Sequence, residues 1–139
     1  MSTVLAPYLS FRANAEEAME FYRSVLGGEV TSNRYGEFHM GSPEEADKIM
    51  HSQLVTPGGL ILMAADTPDE LDFTPGTNFS VSISGEDVDE LRGYFDGLSE
   101  GGTVTAPFEQ SPWGAVFGMV TDRYQIHWMV NADPAGSDG

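Results

Sequence analysis

Three histidines, His39, His51 and His127, are the side chains best suited to proton transfer near neutral pH or to holding a metal ion. There are no cysteines, which excludes thiolate metal sites, disulfides and a cysteine nucleophile. His39 stands near Glu37 in a stretch that reads as loop, where an exposed histidine is the ordinary outcome. The other two stand in runs that alternate as strands do. Alternation puts His51 on one face with Gln53 and Val55, and His127 on one face with Met129 and Asn131. His51 and His127 are therefore the candidate catalytic residues, and both are also candidates for lining a ligand. Trp113, Phe117, Met119 and Met129 offer the apolar surface a small-molecule site needs, and Asn78, Ser80, Ser82 and Gln53 offer the few polar groups. Trp128 alternates away from Met129 and is assigned to core.

Other chemistries lack their residues. No Gly-x-Gly-x-x-Gly phosphate cradle and no Gly-x-Ser-x-Gly elbow occurs, and Pro57-Gly58-Gly59 reads as a turn. Glu16-Glu17 lies on a predicted helix surface and reads as capping, not acid–base work.

Two helices must position these residues. The first is expected from Asn14 as N-cap to Leu26, with Glu17 as capping-box partner and Ala15, Ala18, Met19, Tyr22, Val25 and Leu26 on one face. The second opens near Ser84, with Asp87 in the capping-box position and Val88, Leu91, Tyr94, Phe95 and Leu98 on its apolar face. Each stops at Gly-Gly, and Gly-Gly-Glu-Val at 27–30 recurs as Gly-Gly-Thr-Val at 101–104. Strand-like runs precede and follow each helix: 6–11, 29–35, 49–55 and 60–65 in the first half, and 78–83, 103–108, 115–121 and 126–131 in the second. Each half thus reads βαβββ, an α+β pattern. One domain over 1–131 is expected, built of modules at about 4–66 and 76–131, with a linker at 67–75 and a flexible tail at 132–139.

Composition narrows the partners. The 139 residues carry 6 Lys+Arg against 22 Asp+Glu, a net charge of −16, so no basic stripe exists to bind nucleic acid or an anionic membrane. This acidic balance suits a self-repelling surface, with salt adaptation as an open alternative. No apolar run approaches the roughly 20 residues of a spanning helix, and no basic-then-apolar leader opens the chain. A cytoplasmic protein is the expectation.

The tandem βαβββ scheme carries further markers: Pro7-Tyr8-Leu9-Ser10-Phe11, Ala18-Met19-Glu20-Phe21-Tyr22, Lys48-Ile49-Met50-His51, Leu62-Met63-Ala64, Trp113-Gly114, Phe117-Gly118-Met119-Val120-Thr121-Asp122 and Trp128-Met129-Val130-Asn131. In this order, across residues 7–131, they resemble the vicinal oxygen chelate superfamily of glyoxalases, bleomycin-resistance proteins and extradiol dioxygenases, and within it the PhnB-like branch. The resemblance implies curled mixed sheets around a cavity, and commonly a homodimer. It also implies metal ligands on the first and last strand of each module. Family spacing puts these positions at Pro7, Leu62 (or Ala64), Asn78 and Met129, which are not a divalent-ion donor set. No metal and no cofactor is therefore expected. The family often has Glu where Gln53 stands, so a carboxylate that would pair with His51 is missing. The reading that follows is metal-free binding of a small, partly aromatic molecule in the inter-module cavity. The alternative is a lyase- or dioxygenase-type enzyme with a displaced metal site or a His51 or His127 base.

Overall fold

The two repeated patterns fold into two four-stranded mixed sheets, each with one helix on one face, in a computed structural model that describes residues 3–134. The chain divides into two compact units at Thr74/Pro75. The first unit holds β1 (Tyr8–Phe11), α1 (Ala15–Leu26), β2 (Glu29–Arg34), β3 (Ile49–Val55) and β4 (Ile61–Asp66). The second holds β5 (Val81–Gly85), α2 (Val88–Ser99), β6 (Thr103–Gln110), β7 (Val116–Thr121) and β8 (His127–Ala132). Strand order is β1-β4-β3-β2 in one unit and β5-β8-β7-β6 in the other, an α+β arrangement in which neither sheet closes on itself. In each, three sequential strands form an antiparallel meander, and the last returns beside the first in parallel. The helical crossover makes that parallel pairing possible.

The repeated Gly-Gly has a structural cause common to both units. The first glycine of each pair, Gly27 and Gly101, takes the left-handed backbone that ends the helix, with φ of +81° and +76°. The second packs against the end of the third strand. A Cβ on Gly28 would lie 2.3 Å from the Val55 carbonyl oxygen, and one on Gly102 would lie 2.4 Å from that of Thr121.

Each helix buries one stripe against its sheet. From α1 these are Ala15, Ala18, Met19, Tyr22 and Leu26, and from α2 Leu91, Phe95 and Leu98. Val25, Val88 and Tyr94 are half-buried at the margins. The opposing sheet positions are Leu9, Phe11, Leu54, Leu62 and Ala64 in the first unit, and Val81, Ile83, Val120, Trp128 and Val130 in the second. Trp128 is core as expected, at 1% exposure, and its Nε1–H donates to Asp122 at 2.8 Å.

The helix starts differ from their sequence expectation. Asn14 makes no side-chain cap. The buried Asp66, at the end of β4, takes that role: one carboxylate oxygen accepts from Ala15 N and the other from Ile49 N, each at 2.9 Å. A carboxylate at a helix N-terminus is favoured by the backbone dipoles, and two donors offset its burial. In the second unit the cap is Asp87 itself, accepting from Glu90 N at 3.1 Å, because β5 runs on to Gly85 and occupies Ser84.

Two further boundaries move. The segment after β4 is clamped to the first unit: Arg12 donates to the carbonyls of Pro68 at 2.7 Å and Leu71 at 2.8 Å, and its guanidinium lies over Phe73. Ala132, placed in the tail by sequence, is a buried residue of β8, and Asp133 N donates to the Gly85 carbonyl. Residues 135–139 of the expected tail lie outside the described residues. No helix among the described residues is long and apolar enough to cross a membrane.

Candidate functional site

Strand alternation decides which side chains face away from the helices. In the first sheet the uncovered face carries Tyr8 and Ser10 from β1, Met63 and Ala65 from β4, His51 and Gln53 from β3, and Thr31 and Asn33 from β2. The register aligns Tyr8 with Met63, Met63 with Gln53, and Gln53 with Thr31. His51 and Asn33 are paired one step along, next to a bulge that absorbs Met50. The Tyr8 hydroxyl lies 3.0 Å from His51 Nδ1, and the two rings are 5.6 Å apart at a tilt of 31°. Partial burial pushes the Tyr8 phenol above its ordinary pKa.

The second sheet's uncovered face carries Ser82 and Ser84 from β5, His127, Met129 and Asn131 from β8, and Phe117, Met119 and Thr121 from β7. Here the register aligns Ser82 with Met129 and Met129 with Met119. The Thr121 hydroxyl lies 2.9 Å from His127 Nδ1. Phe117 and Met119 are half-buried, and Trp113, in the turn before β7, packs edge-on to Phe117 at 6.1 Å while remaining 70% exposed. That exposure removes Trp113 from the core.

The sequence candidates thus separate. His51 and Gln53 share one face in the first unit. Phe117, Met119, His127 and Met129 share one face in the second, with Trp113 at its margin. Asn78 lies in an exposed bend before β5, because the strand begins at Val81 and not at 78, and Ser80 is half-buried beside it. His39 is exposed and ends a short 3-10 turn in left-handed backbone at φ 56°. Tyr8, Met63 and Thr121 were missed as site residues, whereas Ser82, expected to offer a polar contact, faces this surface beside Met129. The signal was present: Leu9 and Phe11 are the apolar core positions of β1, so Tyr8 had to face the other way.

The metal positions need a correction. Leu62 and Ala64 are buried on the helix side of β4, and Pro7 precedes β1. The outward-facing register pairs next to those positions on the first and last strands are Tyr8 with Met63 in one unit and Ser82 with Met129 in the other, with His127 two residues from Met129 on the same face. A phenol, an alcohol and two thioethers do not fit a divalent ion of the zinc, manganese or nickel type. No three His, Asp or Glu side chains converge on one point among the described residues.

The layered βαβββ units define a class, the glyoxalase/bleomycin resistance/dioxygenase fold. A domain of that class from Frankia sp. EAN1pec superposes with a TM-score of 0.65 at 20% identity, covering 96% of this chain and 98% of that one. The family is narrower: residues 3–131 match the family described as 3-demethylubiquinone-9 3-methyltransferase, and the chain belongs to it. A Bacillus cereus structure described as a putative 3-demethylubiquinone-9 3-methyltransferase, PhnB protein, is 25% identical with a TM-score of 0.71, over 94% of this chain and 99% of that one. Protein PA1353 from Pseudomonas aeruginosa is 34% identical with a TM-score of 0.87, over 95% and 98%. The Escherichia coli K12 protein YjdN is 27% identical over 91% of this chain and 93% of its own.

The family description implies a methyl donor. Such a group is ordinarily held by a glycine-rich strand–loop–helix in a doubly wound parallel sheet. Here the strand-to-helix connections are Arg12-Ala13-Asn14 and Glu86-Asp87, with no glycine between strand and helix, and each sheet has only one parallel pair. The residues present do not fit that group.

Proposed function

We propose that the chain binds a small, partly aromatic molecule without a metal, holding it against the uncovered sheet faces. The observation that carries this reading is the second unit's face. Phe117, Met119 and Met129 form a half-buried apolar patch, bordered by the exposed Trp113 and by Glu109 of β6, which aligns with Phe117. An aromatic and methionine surface adapts to flat ligands, while Ser82 and the Thr121–His127 pair supply a few polar contacts. Residues further from this patch, Asn78 and Ser80, are the weakest members of the proposed set.

The test is thermal melting of metal-stripped protein against a panel of small aromatic compounds, with tryptophan fluorescence as second readout. A binder at a hundred times its Kd raises Tm by roughly 5–10 °C. A panel that moves neither Tm nor fluorescence, while added zinc or manganese does, would sink the metal-free reading. It would favour the second one, an enzyme in which His51 or His127 takes part. One observation supports that second reading, the contact between Tyr8 and His51, which joins a phenolic acid to a base.

A further inference from the structure

Both strand histidines are held at Nδ1 by a neighbouring hydroxyl, at 3.0 Å for Tyr8–His51 and 2.9 Å for Thr121–His127. The two hydroxyls differ chemically. An aliphatic alcohol donates or accepts with similar ease, so Thr121 leaves the His127 tautomer open. A phenol is a far better donor, and an imidazole nitrogen lone pair is a strong acceptor. The stronger of the two pairings therefore has Tyr8 as donor and His51 Nδ1 as acceptor. The raised pKa of Tyr8 keeps the proton on the phenol oxygen and the donor intact. With Nδ1 occupied as acceptor, neutral His51 must carry its own hydrogen on Nε2. No partner for Nε2 is found among the described residues, and the ring sits half-buried on the uncovered face.

The register shows how the contact is reached. Tyr8 and His51 lie on β1 and β3, with β4 between them. Tyr8 aligns with Met63, and His51 stands two residues from Gln53, which also aligns with Met63. The phenol therefore crosses β4 diagonally, past Met63 toward the small Ala65. Its neighbours on this face, Ser10, Asn33, Gln53 and Met63, are all uncharged. On β2 the carboxylate of this face is Glu29, opposite Val55 and four residues from Asn33, so the positions next to His51 are uncharged although the chain as a whole carries a net charge of −16.

We propose that Tyr8 is a positioning residue that fixes His51 as an Nε2–H donor, and that this donor recognises an acceptor oxygen, carbonyl or phenolate, on an aromatic molecule held against the first unit's uncovered face. This rests on the reading of the uncovered faces as ligand surface, and it adds the polar group that such a ligand carries.

The experiment is two-bond ¹H–¹⁵N correlation of the histidine rings in the whole chain above the histidine pKa, in wild type and Tyr8→Phe. The expected result is an unprotonated Nδ1 and a protonated Nε2 at His51 in wild type, with a mixture of tautomers in Tyr8→Phe. A protonated Nδ1 in wild type overturns the proposal. The recognition half uses acetophenone and ethylbenzene, which share a shape and differ in one acceptor oxygen. Acetophenone is expected to shift the His51 Nε2–H signal while ethylbenzene does not. The ratio of their affinities should fall roughly 3- to 10-fold in His51→Phe. Equal shifts from both probes, or an unchanged ratio, overturn the donor site. The methyl signal of Met63, beside Tyr8 and Gln53 on the same face, keeps the two claims apart. If it moves with both probes while His51 fails to discriminate, the face is ligand surface and the donor site falls. If neither Met63 nor His51 responds to either probe, the ligand-surface reading of this face falls and the donor site falls with it.

Discussion

The two units share one topology but anchor it differently. In the first, Asp66 is 3% exposed and makes three ties: its carboxylate starts α1 through Ala15 N and holds β3 through Ile49 N, and its backbone carbonyl accepts from the Tyr35 hydroxyl at 2.8 Å. In the second, Asp87 caps α2 at the surface, and the buried carboxylate is elsewhere. Asp122, in the β7–β8 turn, accepts from Tyr124 N, Ile126 N and Trp128 Nε1. One unit thus secures its helix from the sheet core. The other secures a turn and lets the helix begin with a solvent-facing cap. A duplicated chain pattern constrains the backbone path, while the polar groups that lock it are free to move to any position that reaches the same orphan donors.

The largest expected effect breaks the feature the units hold in common. Gly28→Ala places a methyl 2.3 Å from a carbonyl oxygen in a backbone at φ +98°, and should cost about 3–5 kcal/mol in urea denaturation. Gly102→Ala meets the same obstruction without the left-handed strain, and should cost about 2–3 kcal/mol. Equal losses would mean that the backbone strain at Gly28 contributes nothing. The next effect separates the units. Asp66→Ala leaves two buried backbone donors unpaired and should cost about 3 kcal/mol. Asp87→Ala should cost only about 1 kcal/mol, since water replaces an exposed cap. If the two substitutions cost the same, the distinction drawn between buried and exposed helix starts is wrong.

That distinction also marks how far the sequence was legible. Helix and strand positions followed from periodicity, because burial imposes it on both sides of every element. Asp66 was invisible as a cap. It lies 51 residues from Ala15 along the chain, and no local pattern records a bond made across the fold. The strand faces holding His51, Gln53, Phe117, Met119, His127 and Met129 were legible from alternation alone. Tyr8 reached His51 across an intervening strand, so its partnership needed strand order as well as alternation. Asn78 went astray for a simpler reason: two positions of irregular backbone before β5 void the alternation rule. The family-implied positions Leu62 and Ala64 failed by one residue, and in a strand one residue is the opposite face.

A smaller, pH-dependent effect sharpens the comparison, because only the first unit carries the stretch between β2 and β3 that holds Glu45. This carboxylate is 5% exposed. It accepts from Asp69 N at 2.8 Å and Ser42 N at 3.3 Å, bonds that hold its pKa below the ordinary glutamate range. A depressed folded-state pKa stabilises the fold above the unfolded value of about 4.3, and that contribution is lost as pH falls through the lower folded value. Carbon-detected titration of the Glu45 side chain should give a midpoint below 4.3. Glu45→Gln should flatten this part of the acid dependence of stability. Both tryptophans lie in the second unit, so their fluorescence should not report the substitution near neutral pH.

The smallest expected effect on stability is also the one that bears most on function. Trp113 is 70% exposed, and its ring packs edge-on against Phe117. Trp113→Ala removes little packed surface and should change unfolding free energy by no more than about 0.5 kcal/mol. Trp128→Ala, by contrast, empties a 1%-exposed site and removes the Nε1–H donor from one Asp122 carboxylate oxygen, at about 3–5 kcal/mol. Two tryptophans of one unit thus provide an internal control. If Trp113 serves the ligand surface, its loss should weaken binding of an aromatic probe such as acetophenone several-fold while Tm stays within about 2 °C of wild type. Destabilisation of Trp113→Ala on the scale of Trp128→Ala would show that the exposed ring is structural. Unchanged stability with unchanged affinity would remove Trp113 from the ligand surface and leave Phe117, Met119 and Met129 to carry it alone.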